Sequence, residues 1–132
     1  MTIFGVRAWR FVLMVLAAEI APILVLVLAM FVVGTVQGGQ PSQETASAWG
    51  SWIGPTFGAL FTGLFAYRLA RGSNRPGVFG LAFGAAVAML DLGLIATQGA
   101  SFQWLFALSA LSRLAGGGLG GWMVDPRKRA AA

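Results

Sequence analysis

The sequence predicts an all-α integral membrane protein: a four-transmembrane-helix bundle with both termini in the cytoplasm, forming one domain over residues 1–132. Three observations predict it. Of the 132 residues, 58% are hydrophobic and only 10% are charged, less than half the charged share of about 25% usual in a soluble domain. Four apolar runs reach the roughly 20 residues needed to cross the hydrocarbon of a bilayer. All the basic residues except Arg113 fall between or outside those runs, on alternate loops.

The elements follow in order. Helix 1 is expected over residues 11–35, on the apolar run from Phe11 to Val33 that only Glu19 interrupts. Helix 2 is expected over 49–68, a run from Trp49 to Tyr67 with no charge. Helix 3 is expected over 77–97 with Asp91 inside it, and helix 4 over 102–124 with Arg113 inside it. Ala46-Ser47-Ala48 has the small-x-small form of a signal cleavage site. The apolar run before it is about twice the length of a signal-peptide core, so it reads as a span. The segment 37–48 between helices 1 and 2 is polar and rich in turn formers.

Orientation comes from the arginines and lysine. Arg7 and Arg10 precede helix 1; Arg68, Arg71 and Arg75 lie between helices 2 and 3; Arg127, Lys128 and Arg129 follow helix 4. The other two loops carry no basic residue. The positive-inside rule therefore places both termini inside, and the expected location is the bacterial inner membrane. Trp9 and Trp122 then mark the inner interface, and Trp49, Trp52 and Trp104 the outer one, where an amphipathic ring is best solvated. The basic loop and tail are expected to meet anionic lipid. The net charge of +5 reads as topology, with no nucleic acid implied.

Nineteen glycines do more than punctuate loops. Lipid supplies no hydrophobic force between helices, so small residues at every fourth position let backbones approach. Helix 2 carries such a stripe in Gly50, Gly54, Gly58, Thr62 and Ala66. Helix 3 has Gly77, Gly80, Gly84, Ala88 and Asp91; helix 4 has Ser109, Arg113, Gly116, Gly117 and Gly120. Helix 1 instead surrounds Glu19 with Val12, Val15, Leu16, Ile23 and Leu26, a bulky face expected to fit the glycine grooves. Most stripes are expected to hold one bundle together. The helix 2 stripe, the longest and free of charge, is the best candidate for binding a second copy or another subunit.

Three ionisable residues fall inside the spans. Counted from the inner interface at helical rise, Glu19 lies roughly 14 Å deep, Arg113 roughly 18 Å and Asp91 roughly 22 Å. An unpaired charge there costs about 2.5–3.5 kcal/mol on insertion scales. Arg113 is therefore expected to pair with Asp91, with Glu19, or with both. Two acids and one base leave one excess negative charge if all ionise, so a proton on Glu19 is the expected neutraliser. Pro22 has no N–H to give the Ala18 carbonyl, which leaves backbone polarity beside Glu19.

Much chemistry is excluded. There is no cysteine and no histidine, and Lys128 is the only lysine. Thiolate sites, the commonest metal ligand, the commonest general base and a buried Schiff base are all absent. No metal, no cofactor and no enzymatic machinery are expected. The four-helix plan with Glu19 in Ala17-Ala18-Glu19-Ile20 resembles the small multidrug resistance transporters. That resemblance implies a helix 1 glutamate that binds protons and cationic drugs in an antiparallel dimer. It covers little beyond those four residues, and Arg113 and the strong charge bias depart from the family's pattern. The reading taken forward is a small polytopic membrane protein without enzymatic machinery. It packs through glycine stripes as a homo-oligomer or as an accessory subunit of a membrane complex. The alternative is a proton-coupled small-molecule or ion transporter using Glu19, Asp91 and Arg113.

Overall fold

The chain begins with a β-hairpin that the sequence reading did not foresee. In the computed structural model, which describes residues 1–97, 99 and 104–124, β1 (Thr2–Ile3) pairs antiparallel with β2 (Val6–Arg7), Thr2 opposite Arg7 and Ile3 opposite Val6. Phe4 and Gly5 form the turn with φ of 49° and 89°. Two positive φ values make the tight type I′ turn that matches strand twist. A run this short is invisible to hydrophobic periodicity. Its hold comes from tertiary contacts: Val6 is buried in the core, and the Asn74 N–H donates to the Phe4 carbonyl at 3.1 Å.

Four helices follow: α1 (Ala8–Gln37), α2 (Gln43–Ala70), α3 (Pro76–Thr97) and α4 (Trp104–Val124). Their order and number match the expectation, and their ends differ. Helix 1 begins at Ala8 and ends where Gly38 turns left-handed, φ 73°, giving its N–H to the Gly34 carbonyl. Such a glycine cap needs no Cβ penalty to be met. Helix 2 begins at Gln43, so half of the segment taken as a polar loop is helical. The reason is the cap: the Ser42 hydroxyl accepts from the Thr45 N–H at 3.2 Å, and Glu44 sits in the positive first turn. Helix 3 starts on Pro76, whose missing N–H costs nothing at that position. The expected residues Phe102 and Gln103 at the start of helix 4, and the basic tail Asp125 to Arg129, lie outside the described residues.

All four helices exceed the ~20 residues that a span requires. Two of them are long and also apolar enough to cross a membrane, with a mean hydropathy over an 18-residue stretch of 2.8 in α1 and 2.1 in α3. Helices α2 and α4 fall behind in composition rather than in length, because glycine and hydroxyl residues dilute their apolar content.

Helix α4 sits between α2 and α3, held by backbone contact on two adjacent faces. A Cβ added to Gly117 would lie 2.5 Å from the Gly80 carbonyl oxygen and 2.6 Å from the Gly84 Cα. One added to Gly84 would lie 2.8 Å from the Arg113 carbonyl oxygen. On the other face, a Cβ at Gly116 would overlap the Ala59 carbonyl of α2, and one at Gly120 the Gly63 carbonyl. The run Gly116-Gly117-Gly118-Leu119-Gly120-Gly121 is thus two small-xxx-small motifs offset by one residue, about 100° around the helix. One serves α2 and the other α3.

Helix α1 is attached differently. Its buried residues are Val15, Ala18, Glu19 and Pro22. Val12, Leu16 and Ile23, expected to fill glycine grooves, are instead 53%, 42% and 51% exposed. Side-chain volume does the joining here. Phe11 meets Phe79 and Phe83 edge-on at centroid distances of 5.7 and 5.6 Å. With Val6, Val15, Ala18, Ala66, Ala70 and Val87 these rings form the main apolar cluster, toward the hairpin end of the bundle, while Ile53 is buried separately nearer the other end. Beyond Pro22 in α1, before Ile53 in α2, beyond Asp91 in α3 and before Ser109 in α4, no described residue is buried.

Candidate functional site

Four helices bring the three charged candidates together at the upper edge of this core. Arg113 projects from α4, Glu19 from α1 and Asp91 from α3, and α2 contributes the space. A Cβ on Gly58 would stand 3.0 Å from the Arg113 Cζ and 3.1 Å from its Nη2. Glycine at this position opens a recess that the guanidinium fills. Gly58 was read from the sequence as a helix-packing residue, and its neighbour turns out to be a side chain rather than a backbone.

The guanidinium binds Glu19 by its edge. Nε donates to Glu19 Oε2 at 3.2 Å and Nη2 to Oε1 at 3.3 Å, the two-pronged geometry in which arginine and a carboxylate match best. On the opposite edge Nη1 stands 3.1 Å from Asp91 Oδ2 and also donates to the Ser109 hydroxyl. Ser109 in turn donates to Asp91 Oδ2 at 3.1 Å. One guanidinium therefore ties α1 to α3 through α4. The side chains of Arg113, Glu19 and Asp91 are 4%, 7% and 12% exposed. Ser109 was placed on this face of helix 4 without a role in the cluster. Its position four residues before Arg113 was the available signal, since side chains so spaced are neighbours on a helix.

Two more polar features border the cluster. Ser112 donates to the Ser109 carbonyl at 2.7 Å and reaches the Pro55 carbonyl of α2 at 3.3 Å. Thr62, one turn from Gly58 toward the hairpin end, is fully buried, and its hydroxyl has no hydrogen-bond partner among the described residues. Such a group ordinarily finds one, and leaving it without costs about 1–3 kcal/mol. Among the described residues no three acidic, histidine or cysteine side chains gather to hold a metal.

The small residues divide into two sets. Gly80, Gly84, Gly116, Gly117 and Gly120 lie in the α3–α4 and α2–α4 seams. On the helix 2 stripe the outcome corrects the expectation. Gly58, Thr62 and Ala66 face inward and are buried within the chain, so that stretch is not free for a second copy. Among the described residues, a Cβ on Gly50 would meet only the Leu26 side chain, and one on Gly54 would have nothing within 4 Å. The tryptophans stand at the two ends: Trp9 and Trp122 at the hairpin end, Trp49, Trp52 and Trp104 at the other. Trp9, Trp122, Trp52 and Trp104 are 47–70% exposed.

The cluster pairs two carboxylates with one guanidinium, and the Ser109 hydroxyl is shared between Asp91 and Arg113. No family model, no curated protein and no solved structure matches the chain.

Proposed function

We propose that this chain is a small four-span membrane protein without enzymatic machinery, acting as a homo-oligomer or as an accessory subunit of a membrane complex. In this reading α2 and α4 cross the bilayer beside α1 and α3, and the hairpin end lies in the cytoplasm. The observation that carries it is the engagement of the Arg113 guanidinium on both edges by Glu19, Asp91 and Ser109. A centre whose donors and acceptors satisfy one another fastens helices; it offers no free base or nucleophile to a substrate. Since the glycine seams are engaged inside the chain, association falls to the outward face of α1. Ile20, Leu24, Val27, Leu28 and Phe31 recur there at helical spacing, each at least half exposed.

The test uses the absence of cysteine. Single cysteines at Leu24 and Leu28 are expected to crosslink two copies, or one copy to a co-purifying membrane protein, in native membranes. A monomer by light scattering in nanodiscs, with no crosslink and no companion, would overturn the reading.

A second reading has its own observation. Two carboxylates share one guanidinium, so the cluster carries one uncompensated negative charge unless a proton or cation neutralises it. That is the composition of a proton- or cation-coupled transporter. Flux into liposomes should then vanish in Glu19→Gln, and unchanged flux removes Glu19 from any transport.

A further inference from the structure

We infer that the hairpin and the α2–α3 turn together form a docking surface for the phosphodiester headgroups of anionic phospholipids. The inference rests on the hairpin end lying at the cytoplasmic headgroup layer.

The surface is assembled from two separate stretches of chain, residues 7–10 and 68–75. Arg7 comes from β2, Arg10 from the first turn of α1, Arg68 from the last turn of α2, and Arg71 and Arg75 from the turn before α3. All five are exposed. The hairpin is not a loose arm beside them. The Asn74 N–H holds the Phe4 carbonyl, and Gly5 approaches the turn so closely that a Cβ there would lie 3.3 Å from the Gly72 carbonyl oxygen. Its φ of 89° suits glycine. The turn is braced as well, with the Ser73 hydroxyl accepting from the Arg75 N–H at 3.2 Å.

Charge decides the occupant. The described acids are Glu19 and Asp91, consumed by Arg113, and Glu44, at the opposite end of the molecule. No described carboxylate faces the five arginines. Arg71 is the best prepared of them. Its Nη2 donates to the Tyr67 hydroxyl at 2.7 Å, and its Cζ lies 4.6 Å from that ring's centroid. A guanidinium has five N–H donors, so this bond fixes its plane and leaves most of the fork to a phosphate. Exposed apolar groups stand among the cations: Met1, Phe4 and Trp9. Basic and aromatic side chains so mixed suit the boundary between headgroup and acyl chain, where anionic lipid attracts juxtamembrane arginine.

The experiment adds phosphatidylglycerol or phosphatidylcholine to delipidated full-length protein and counts retained lipids by native mass spectrometry. Phosphatidylglycerol should be retained at least threefold more. In Arg7→Gln/Arg71→Gln/Arg75→Gln that preference should fall below 1.5-fold, while Lys in place of the three Gln restores about half of it. Inorganic phosphate at millimolar concentration should not displace the lipid if the whole headgroup and its chains are bound. Displacement would mean a free-anion site and overturn the lipid assignment. Equal retention of both lipids, or an unchanged preference in the Gln variant, would overturn the surface itself. A measurement on the unaltered protein stands beside the variants: raising NaCl to 500 mM should erode the preference, because salt screens exposed charges. A preference indifferent to salt would sink the inference even if the variants fail to fold. The same mass spectra report oligomeric state separately, so failure here is distinguishable from failure of the assembly reading.

Discussion

The α2–α4–α3 seam and the attachment of α1 solve one problem in opposite ways. In the seam, glycines remove side chains so that backbones touch, as between Gly117 and Gly84. At α1, side chains do the work: aromatic rings at Phe11, and an ion pair between Glu19 and Arg113. The first kind of joint is close and tolerates no added volume. The second is directional and depends on charge. The difference teaches that three helices here form a unit defined by shape, with a fourth secured to it by chemistry.

Breaking the shape-defined joint should have the largest effect. In Gly117→Leu the new side chain meets backbone on the facing helix, with nothing flexible to yield. Overfilling a well-fitted interior typically costs 1–3 kcal/mol, and this variant should lose more than about 3 kcal/mol. Detergent unfolding followed by circular dichroism should find little folded material. Retention of wild-type stability would mean that α3 and α4 do not meet as described. Next comes Arg113→Leu, which strands two buried carboxylates. Removing one partner of a buried pair costs about 3–5 kcal/mol, and adding Glu19→Gln and Asp91→Asn should recover most of the loss.

Glu19→Gln alone sharpens the comparison, because it weakens only the charged joint. The loss should be about 1.5–3 kcal/mol, the scale of a hydrogen bond to a charged group. It should appear as faster exchange or proteolysis of α1, with the α2–α4–α3 seam still protected. Uniform loosening of all four helices would erase the distinction drawn here. The smallest effect belongs to Gly54→Ala. Its Cβ enters open space, so the helix gains about 0.5–1 kcal/mol of propensity or nothing. The same change at Gly58 presses a methyl group on the Arg113 guanidinium and should destabilise.

Much of this was legible in the residues. Four helices in order, and three charges that must find one another, follow from hydropathy and from the cost of a lone charge in apolar surroundings. The partners of each face did not. Gly54 and Gly58 lie one turn apart on the same stripe, yet among the described residues one faces nothing within 4 Å and the other faces a guanidinium. Spacing defines a stripe; only the crossing of helices decides what covers it. The bulky residues around Glu19 misled for a similar reason. A face about a single charge spans more of the helix circumference than the contact uses, and Val12, Leu16 and Ile23 fall outside it. The hairpin was illegible because two-residue strands carry no period to read.

The glycine run of α4 has a consequence for biogenesis. Five of the six residues from Gly116 to Gly121 are glycine, each less favourable in a helix than alanine by about 0.8–1 kcal/mol. As an isolated peptide in water this segment is a poor helix. Its shape is supported by the backbones of α2 and α3, which it meets on two faces. The element at the middle of the molecule is therefore the one least able to exist apart from it.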